Sequence, residues 1–254
     1  LVSGVGIDTD AAGVILYKSP GTVVRNTTVV GSESYRNGHM GLVAMRSPGV
    51  VEDSRFTGGL DGVYTHRSDG IVVRNNGIYD NRMGIHTMFT SGSVLYNNTV
   101  SGQEYTGIHV MTGPRRNAVV GNRITETVTA LVVGGSESYV ADNVVLENNL
   151  GFQVDAVGSI IEGNVFADNR AGAEARAQLP TNRVFDNDFV GNERHVRSAN
   201  GRLRIWTYDG RGNYWEGATG RTDGTVIRRP YTPTDPVDGR LHRTDGAGTL
   251  AQAP

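Results

Sequence analysis

The sequence predicts an all-β fold, a right-handed single-stranded parallel β-helix (a solenoid) of about eight to nine coils. Three observations predict it: a short strand-like segment recurs at a nearly constant interval, a polar position recurs later in each interval, and glycine is frequent. Glycine accounts for 35 of the 254 residues, which is about twice its ordinary share. Because no collagen-like three-residue period accompanies it, the excess indicates many tight turns.

A small residue opens each recurring segment. The openers are Gly13, Gly41, Gly62, Gly84, Gly107, Ala130, Gly151 and Gly172. They are 21 to 23 residues apart, except for a first interval of 28 residues. The residues that follow an opener alternate in character with a period of two, as in Ile85-His86-Thr87, which is the period of a strand. Since one coil cannot bury its apolar face alone, we expect successive coils to stack around a continuous core.

A polar residue, usually asparagine, recurs later in each coil. Its predicted positions are Asn26, Ser54, Asn75, Asn97, Asn122, Asn143, Asn164 and Asn187. A side-chain amide can hydrogen bond to its neighbours in the coils above and below, and asparagine tolerates the left-handed turn that bends the chain. We therefore expect an inward-facing asparagine ladder along the solenoid.

The repeat ends near Arg204. We therefore assign residues 1–205 to the β-helix and residues 206–254 to a C-terminal capping segment and tail, because the end of a solenoid needs a cover. Tyr214 and Trp215 are expected to pack on the last coil.

Composition argues against several functional classes. The chain has no cysteine, which excludes disulfides and thiolate metal sites. Its formal net charge of −2 argues against nucleic acid as a partner. No apolar run is long enough for a direct membrane span. The chain shows no signal peptide, so its location has to be inferred from other features.

Two outward-facing columns of side chains are rich in methionine and histidine. Alternation directs Ile85 and Thr87 towards the core, so His86 and Met88 point outward. Residues in register one coil away are about 4.8 Å apart, close enough for their side chains to converge on one ion. The predicted metal-binding residues are His86, Met88, His109 and Met111, with Met45 and His66 as weaker members.

Imidazole and thioether ligands in the absence of cysteine suit copper, above all transient Cu(I). The alternative interpretation of these methionines is an adaptable surface for docking another protein, a role that flexible Met side chains also suit.

Many β-helices act on polysaccharides, so a carbohydrate-binding or carbohydrate-cleaving protein is the alternative function. Glycoside hydrolysis needs clustered carboxylates. Asp155 and Glu174 lie in outward columns of neighbouring coils, whereas Asp61 and the other acids are placed in turns scattered along the rod. We therefore assign no catalytic residues.

The chain resembles the NosD family, extracytoplasmic β-helix factors for the maturation of the copper centre of nitrous oxide reductase. The matching segments are Gly-Ile-His-x-Met at 84–88 and 107–111, Gly-Asn at 121–122 and 163–164, Gly-Asn-Tyr-Trp at 212–215 and the Arg-Pro-Tyr segment at 229–238. Together they cover most of the chain, and the C-terminal segments are the more specific ones.

The resemblance implies a non-enzymatic protein of the periplasm, or of the outer face of the cell membrane, that takes part in denitrification. It implies that the protein passes copper to apo nitrous oxide reductase, works with ABC transporter subunits and receives copper from a donor lipoprotein. Residue by residue, it places the metal role on His86, Met88, His109 and Met111.

Overall fold

The computed structural model describes residues 1–31, 38–175, 181–198, 208–209 and 211–216. In these ranges the chain forms 28 strands, numbered β1 to β28 in chain order, and no helix. The strands pair in three parallel sheets of nine, ten and nine strands. Each turn of the chain contributes one strand to each sheet, which gives about nine turns. The predicted parallel β-helix is confirmed.

The three sheets form the long faces of the solenoid. Sheet 1 contains β1 (Val2–Ser3), β4 (Thr22–Arg25), β7 (Gly49–Glu52), β10 (Val72–Arg74), β13 (Val94–Tyr96), β16 (Ala118–Val120), β19 (Tyr139–Ala141), β22 (Ile160–Glu162) and β25 (Arg183–Phe185). Sheet 2 contains β2 (Gly6–Thr9), β5 (Thr28–Gly31), β8 (Arg55–Thr57), β11 (Gly77–Tyr79), β14 (Thr99–Ser101), β17 (Arg123–Thr125), β20 (Val144–Leu146), β23 (Val165–Ala167), β26 (Asp188–Val190) and β28 (Tyr214–Trp215). Sheet 3 contains β3 (Val14–Tyr17), β6 (Met40–Met45), β9 (Asp61–His66), β12 (Met83–Met88), β15 (Thr106–Val110), β18 (Thr129–Val133), β21 (Leu150–Val154), β24 (Ala171–Ala175) and β27 (Arg194–Ser198).

Inward-pointing aliphatic side chains of all three sheets fill one continuous core. In β12 of sheet 3, Ile85 and Thr87 are fully buried on the core side, as the alternation predicts. Gly62, the glycine near the start of β9, has no room for a side chain. A Cβ atom at Gly62 would lie 2.6 Å from Cγ2 of Ile78 and 2.9 Å from the carbonyl oxygen of Gly84. The strand therefore enters the sheet closer to its neighbours than a larger residue permits.

Aromatic rings continue the core towards the C-terminal end. Phe166 stacks on Phe189 with ring centroids 5.1 Å apart, and Phe189 stacks on Trp215 at 4.3 Å. Trp215 is buried, and β28 pairs in parallel with β26. Trp215 thus packs on the last coil, as predicted. The boundary between residues 205 and 206, and the tail from residue 217 onward, lie outside the described residues.

The predicted asparagine ladder exists, but its register was wrong in three coils. Its buried members are Thr27, Ser54, Asn76, Asn98, Asn122, Asn143, Asn164, Asn187 and Asn213. Thr27, Asn76 and Asn98 therefore take the places that were assigned to Asn26, Asn75 and Asn97. Each of these three displaced asparagines is exposed and has a positive φ, between 48° and 56°. In each of these coils two polar residues are adjacent. The first, such as Asn97, makes the left-handed turn, and the second, such as Asn98, directs its side chain inward.

The ladder joins each coil to the next through both side chain and backbone. The Asn98 side-chain Nδ2 donates to Oδ1 of Asn122 at 3.0 Å, and the Asn98 backbone N–H donates to the same oxygen at 2.9 Å. The same pattern links Asn122 to Asn143 and Asn143 to Asn164. One amide oxygen per coil therefore holds the turn of the coil before it in place.

A second buried ladder lies at the turn between sheets 2 and 3, and the sequence analysis missed it. Its members are Asn81, Gln103, Thr127, Asn148, Asn169 and the partly buried Asn192. Hydrogen bonds join Asn81 to Gln103 and, in the later coils, Thr127 to Asn148, Asn148 to Asn169 and Asn169 to Asn192. In the first of these links, the backbone N–H of Asn81 donates to Oε1 of Gln103 at 3.1 Å. Because the chain enters β12 directly after this turn, the second ladder sets where the strands of sheet 3 begin.

The corrected ladder register predicts different consequences for two adjacent asparagines. Asn98→Ala removes the oxygen that accepts from the backbone N–H of Asn76 and the amide that donates to the carbonyl of Val73. We expect it to lower the free energy of unfolding by about 1–3 kcal/mol. The control Asn97→Gly, which suits the positive φ at an exposed position, should change it by no more than about 0.5 kcal/mol. Chemical denaturation of both variants measures this, and equal losses would refute the corrected register.

Candidate metal-binding patch

The parallel register of sheet 3 brings the six predicted metal-binding residues onto one face. His86 pairs with His109, Met45 pairs with His66, and His66 pairs with Met88. The backbone N–H of Met111 donates to the carbonyl of Thr87 at 3.1 Å, which places Met111 beside Met88. The lateral patch is defined as Met45, His66, His86, Met88, His109 and Met111. The two predicted columns are thus in register, and their metal role stays a proposal.

Two histidine side chains form the centre of the patch. The rings of His86 and His109 stack with centroids 5.2 Å apart and planes inclined by 15°. Although His86 points away from the core, only 7% of its surface is exposed. Nε2 of His86 and Nδ1 of His109 are both buried, and neither has a hydrogen-bond partner in the described part of the chain. Two nitrogen atoms of the stacked pair are therefore available to a ligand.

Asp61 lies beneath the histidine pair, and the sequence analysis misplaced it among scattered turn residues. It begins β9, is 1% exposed, and its Oδ2 lies 3.0 Å from Nδ1 of His86. Its other oxygen accepts a hydrogen bond from Nη2 of Arg82 at 3.3 Å. No sequence signal marks Asp61, because it pairs with Met83, two residues before the core residue Ile85, and strict alternation would direct its side chain towards the core.

Tyr64 is a second member of the site that the sequence analysis did not assign. It pairs with His86 in the register of sheet 3, and its ring meets the His86 ring edge-on at 5.3 Å. Its hydroxyl donates to Sδ of Met88 at 3.2 Å. Burial, and to a lesser degree the nearby Asp61 carboxylate, raise the pKa of Tyr64. The phenol therefore stays protonated at neutral pH and holds the Met88 thioether beside the histidine pair.

The surroundings keep His109 neutral. Burial above all, together with the neighbouring His86 and Arg82 and against the opposing effect of Asp61, lowers the pKa of His109 to about 4. A neutral imidazole is the form that binds metal ions. For His109 the competition between protons and a metal ion is therefore expected well below the ordinary histidine pKa of about 6.5.

The donor atoms of the patch suit a soft cation. Within the described ranges, no group of three or more histidine, cysteine, aspartate or glutamate side chains is arranged to hold a metal ion. The patch instead combines two imidazole nitrogens with the thioether sulfurs of the neighbouring column. Thioether sulfur prefers Cu(I), and imidazole also binds copper. The residues present therefore fit a copper ion better than a hard cation such as Mg²⁺ or Ca²⁺.

Asp155 and Glu174, the carboxylates of neighbouring coils, each have a partner, and Asp61 lies far from them along the rod. Asp155 accepts a hydrogen bond from Nε2 of Gln153 at 2.8 Å, and the buried Glu174 pairs with Arg197. Asp155 follows β21, and three strands of sheet 3 separate β21 from the β9 strand of Asp61. At about 4.8 Å per coil, the separation along the rod is about 19 Å, whereas hydrolysis needs carboxylates about 5–10 Å apart.

The chain is similar to several known proteins. A family model described as "NosD: Periplasmic copper-binding protein (NosD)" matches residues 1–220. Two curated relatives are each named "Probable ABC transporter binding protein NosD". The one from Pseudomonas aeruginosa is 34% identical over 124 residues, covering 48% of this chain and 26% of that protein. The one from Stutzerimonas stutzeri is 35% identical over 92 residues, covering 35% of this chain and 21% of that protein. The chain thus spans about a quarter of the length of these relatives.

Two solved structures are also similar. They are A-modules of Azotobacter vinelandii mannuronan C-5 epimerases. The module of AlgE6 has 13% identity and a TM-score of 0.49 over 79% of this chain and 82% of that chain. The module of AlgE4 has 12% identity and a TM-score of 0.40 over 79% of this chain and 84% of that chain. At these values neither similarity bears on activity. None of the described residues forms a helix suited to crossing a membrane.

The low pKa of His109 leads to a pH prediction. The unfolded chain takes up this proton near pH 6.5, but the folded chain takes it up only near pH 4. The neutral form of His109 therefore adds stability that is complete above pH 6.5 and is lost between pH 6.5 and about 4. In NMR titrations of the metal-free protein, the His109 ring should titrate near pH 4. His109→Gln should flatten the fall in unfolding free energy over this range. A His109 ring that titrates near 6.5 would contradict the described burial.

Proposed function

The chain belongs to the NosD family of periplasmic copper-binding proteins. We propose that it carries Cu(I) on the lateral patch and delivers the ion to apo nitrous oxide reductase. The single observation that carries the proposal is the stacked pair of His86 and His109. Each ring has a buried nitrogen without a hydrogen-bond partner in the described residues, and Met88 and Met111 lie in the adjacent column.

A copper carrier has to hold the ion and also release it, and the different exposure of the patch residues suits both. His86 is nearly covered, whereas His109, Met88 and Met111 are partly exposed. The buried imidazole holds the ion on the protein, and the partly exposed donors can be replaced one at a time by ligands of an approaching partner. Met45 and His66 continue the thioether and imidazole donors along the same column and offer further positions for the ion.

The family description and the names of the relatives support a proposal about the partners and the location of the protein. Its description places it in the periplasm, and both curated relatives carry names that refer to an ABC transporter. We propose that this chain also acts outside the cytoplasm, with ABC transporter subunits, and takes its copper from a donor lipoprotein. Copper is then cargo, held transiently as Cu(I), and the protein carries out no reaction of its own.

The proposal predicts that both methionines beside the histidine pair are needed for Cu(I) binding. Changing Met88 and Met111 together to Leu preserves side-chain volume, so the fold should persist. Cu(I) affinity should fall by about tenfold or more, because leucine has no donor atom for the soft ion. Zn²⁺ should bind the parent protein more weakly than Cu(I), since thioether sulfur is a poor zinc ligand. Competition titration against a Cu(I) chelator measures the Cu(I) affinity of the parent and the variant, and titration against a Zn²⁺ chelator measures the Zn²⁺ affinity of the parent.

The matched control is His195→Gln. His195 is a buried imidazole outside the patch, and its Nε2 donates to the carbonyl oxygen of Glu216 at 2.7 Å. This variant should bind Cu(I) like the parent protein. Equal Cu(I) affinity in the parent, the double methionine variant and the control would remove the methionines from copper binding. Their remaining role would then be the docking of a partner protein.

A further inference from the structure

We propose that Asp61 is a positioning residue that holds His86 in the tautomer with the proton on Nδ1, so that Nε2 is the nitrogen offered to the ion. The inference rests on the proposed copper-carrying function, and its first half, the tautomer, can be tested without copper.

The geometry assigns the proton. Oδ2 of Asp61 lies 3.0 Å from Nδ1 of His86. An ionised carboxylate can only accept hydrogen bonds, so Nδ1 must carry the hydrogen that it donates. In a neutral imidazole the other nitrogen then has the free lone pair. That nitrogen, Nε2, is the buried atom without a hydrogen-bond partner in the described residues. Nε2 of His86 is therefore the nitrogen whose lone pair is free for a ligand.

The carboxylate is itself held in place. Asp61 is 1% exposed, and Arg82 donates to its second oxygen at 3.3 Å. Each oxygen thus has its own donor, and rotating the carboxylate away from His86 would disturb both contacts. A carboxylate that fixes a ligating histidine through its other nitrogen is a common arrangement behind metal ligands and raises their basicity.

The second histidine lacks this support, which makes the pair asymmetric. In the register of sheet 3, the residue that precedes His109 by one coil, at the position equivalent to Asp61, is Met83. A thioether is only a weak acceptor. Accordingly, Nδ1 of His109 has no hydrogen-bond partner among the described residues. His86 is therefore the fixed donor of the pair, and His109 is the donor whose ring is free to change tautomer as an ion arrives or leaves.

The test combines two measurements on the full chain. Long-range ¹H–¹⁵N NMR spectra of the metal-free protein at neutral pH identify which nitrogen of each histidine carries the proton. Competition titration with Cu(I) then gives the affinity. In the parent, His86 should be protonated at Nδ1. In Asp61→Ala, which has no acceptor, the His86 proton should move towards Nε2, and Cu(I) affinity should fall by about 10–100-fold.

Asp61→Asn is the conservative variant and guards against misfolding of Asp61→Ala. Its amide oxygen can still accept from Nδ1, so it should keep the His86 tautomer and lose less Cu(I) affinity than Asp61→Ala. The matched control is Glu174→Gln, which alters another buried carboxylate paired with an arginine in sheet 3. This control should change neither the His86 tautomer nor the Cu(I) affinity.

The outcomes separate the two proposals. An unchanged His86 tautomer in a folded Asp61→Ala variant would overturn the role of Asp61, even if the protein binds copper. A changed tautomer with unchanged Cu(I) affinity would overturn the link between Asp61 and the ion. If the parent protein does not bind Cu(I), the proposed function itself is wrong, and with it the copper half of this inference.

Discussion

The side-chain ladders that connect successive coils are the interaction on which the rest of the structure depends. In each link, an amide or hydroxyl oxygen in one coil accepts the backbone N–H of the coil before it, as Asn122 does for Asn98. The link sets the register between coils as well as their spacing. A slip of one residue would turn every core side chain outward, because strand side chains alternate. Buried polar groups without partners are costly, so the ladder favours one register over all others.

The lateral patch is a consequence of that register. His86 stacks on His109, and Met88 lies beside His66, because their coils are locked in the same phase. Asp61 lies one coil before His86, and its carboxylate therefore contacts an imidazole of the next coil. No single coil contains the site. A solenoid can thus bring together side chains that are 23 to 25 residues apart in the chain without any long loop.

The fold and the columns could be predicted from the sequence because both depend on periodicity alone. The ladder was misplaced where two polar residues are adjacent, as at Asn97 and Asn98, since only the backbone angle decides which of them turns inward. Asp61 and Tyr64 could not be assigned because their roles depend on contacts across coils, and an aspartate near a glycine resembles an ordinary turn residue. The low pKa of His109 also follows from burial and neighbouring charges, which periodicity does not reveal.

We propose that thioether and imidazole groups of neighbouring coils bind one soft ion together. X-ray absorption spectroscopy at the copper K edge of the Cu(I)-loaded protein identifies the bound atoms, because sulfur and nitrogen neighbours scatter differently. We expect a mixed shell of nitrogen and sulfur atoms in the parent protein, and fewer sulfur atoms when Met88 and Met111 are both replaced by Leu. A parent spectrum with nitrogen and oxygen neighbours alone would show that the thioethers do not bind the ion.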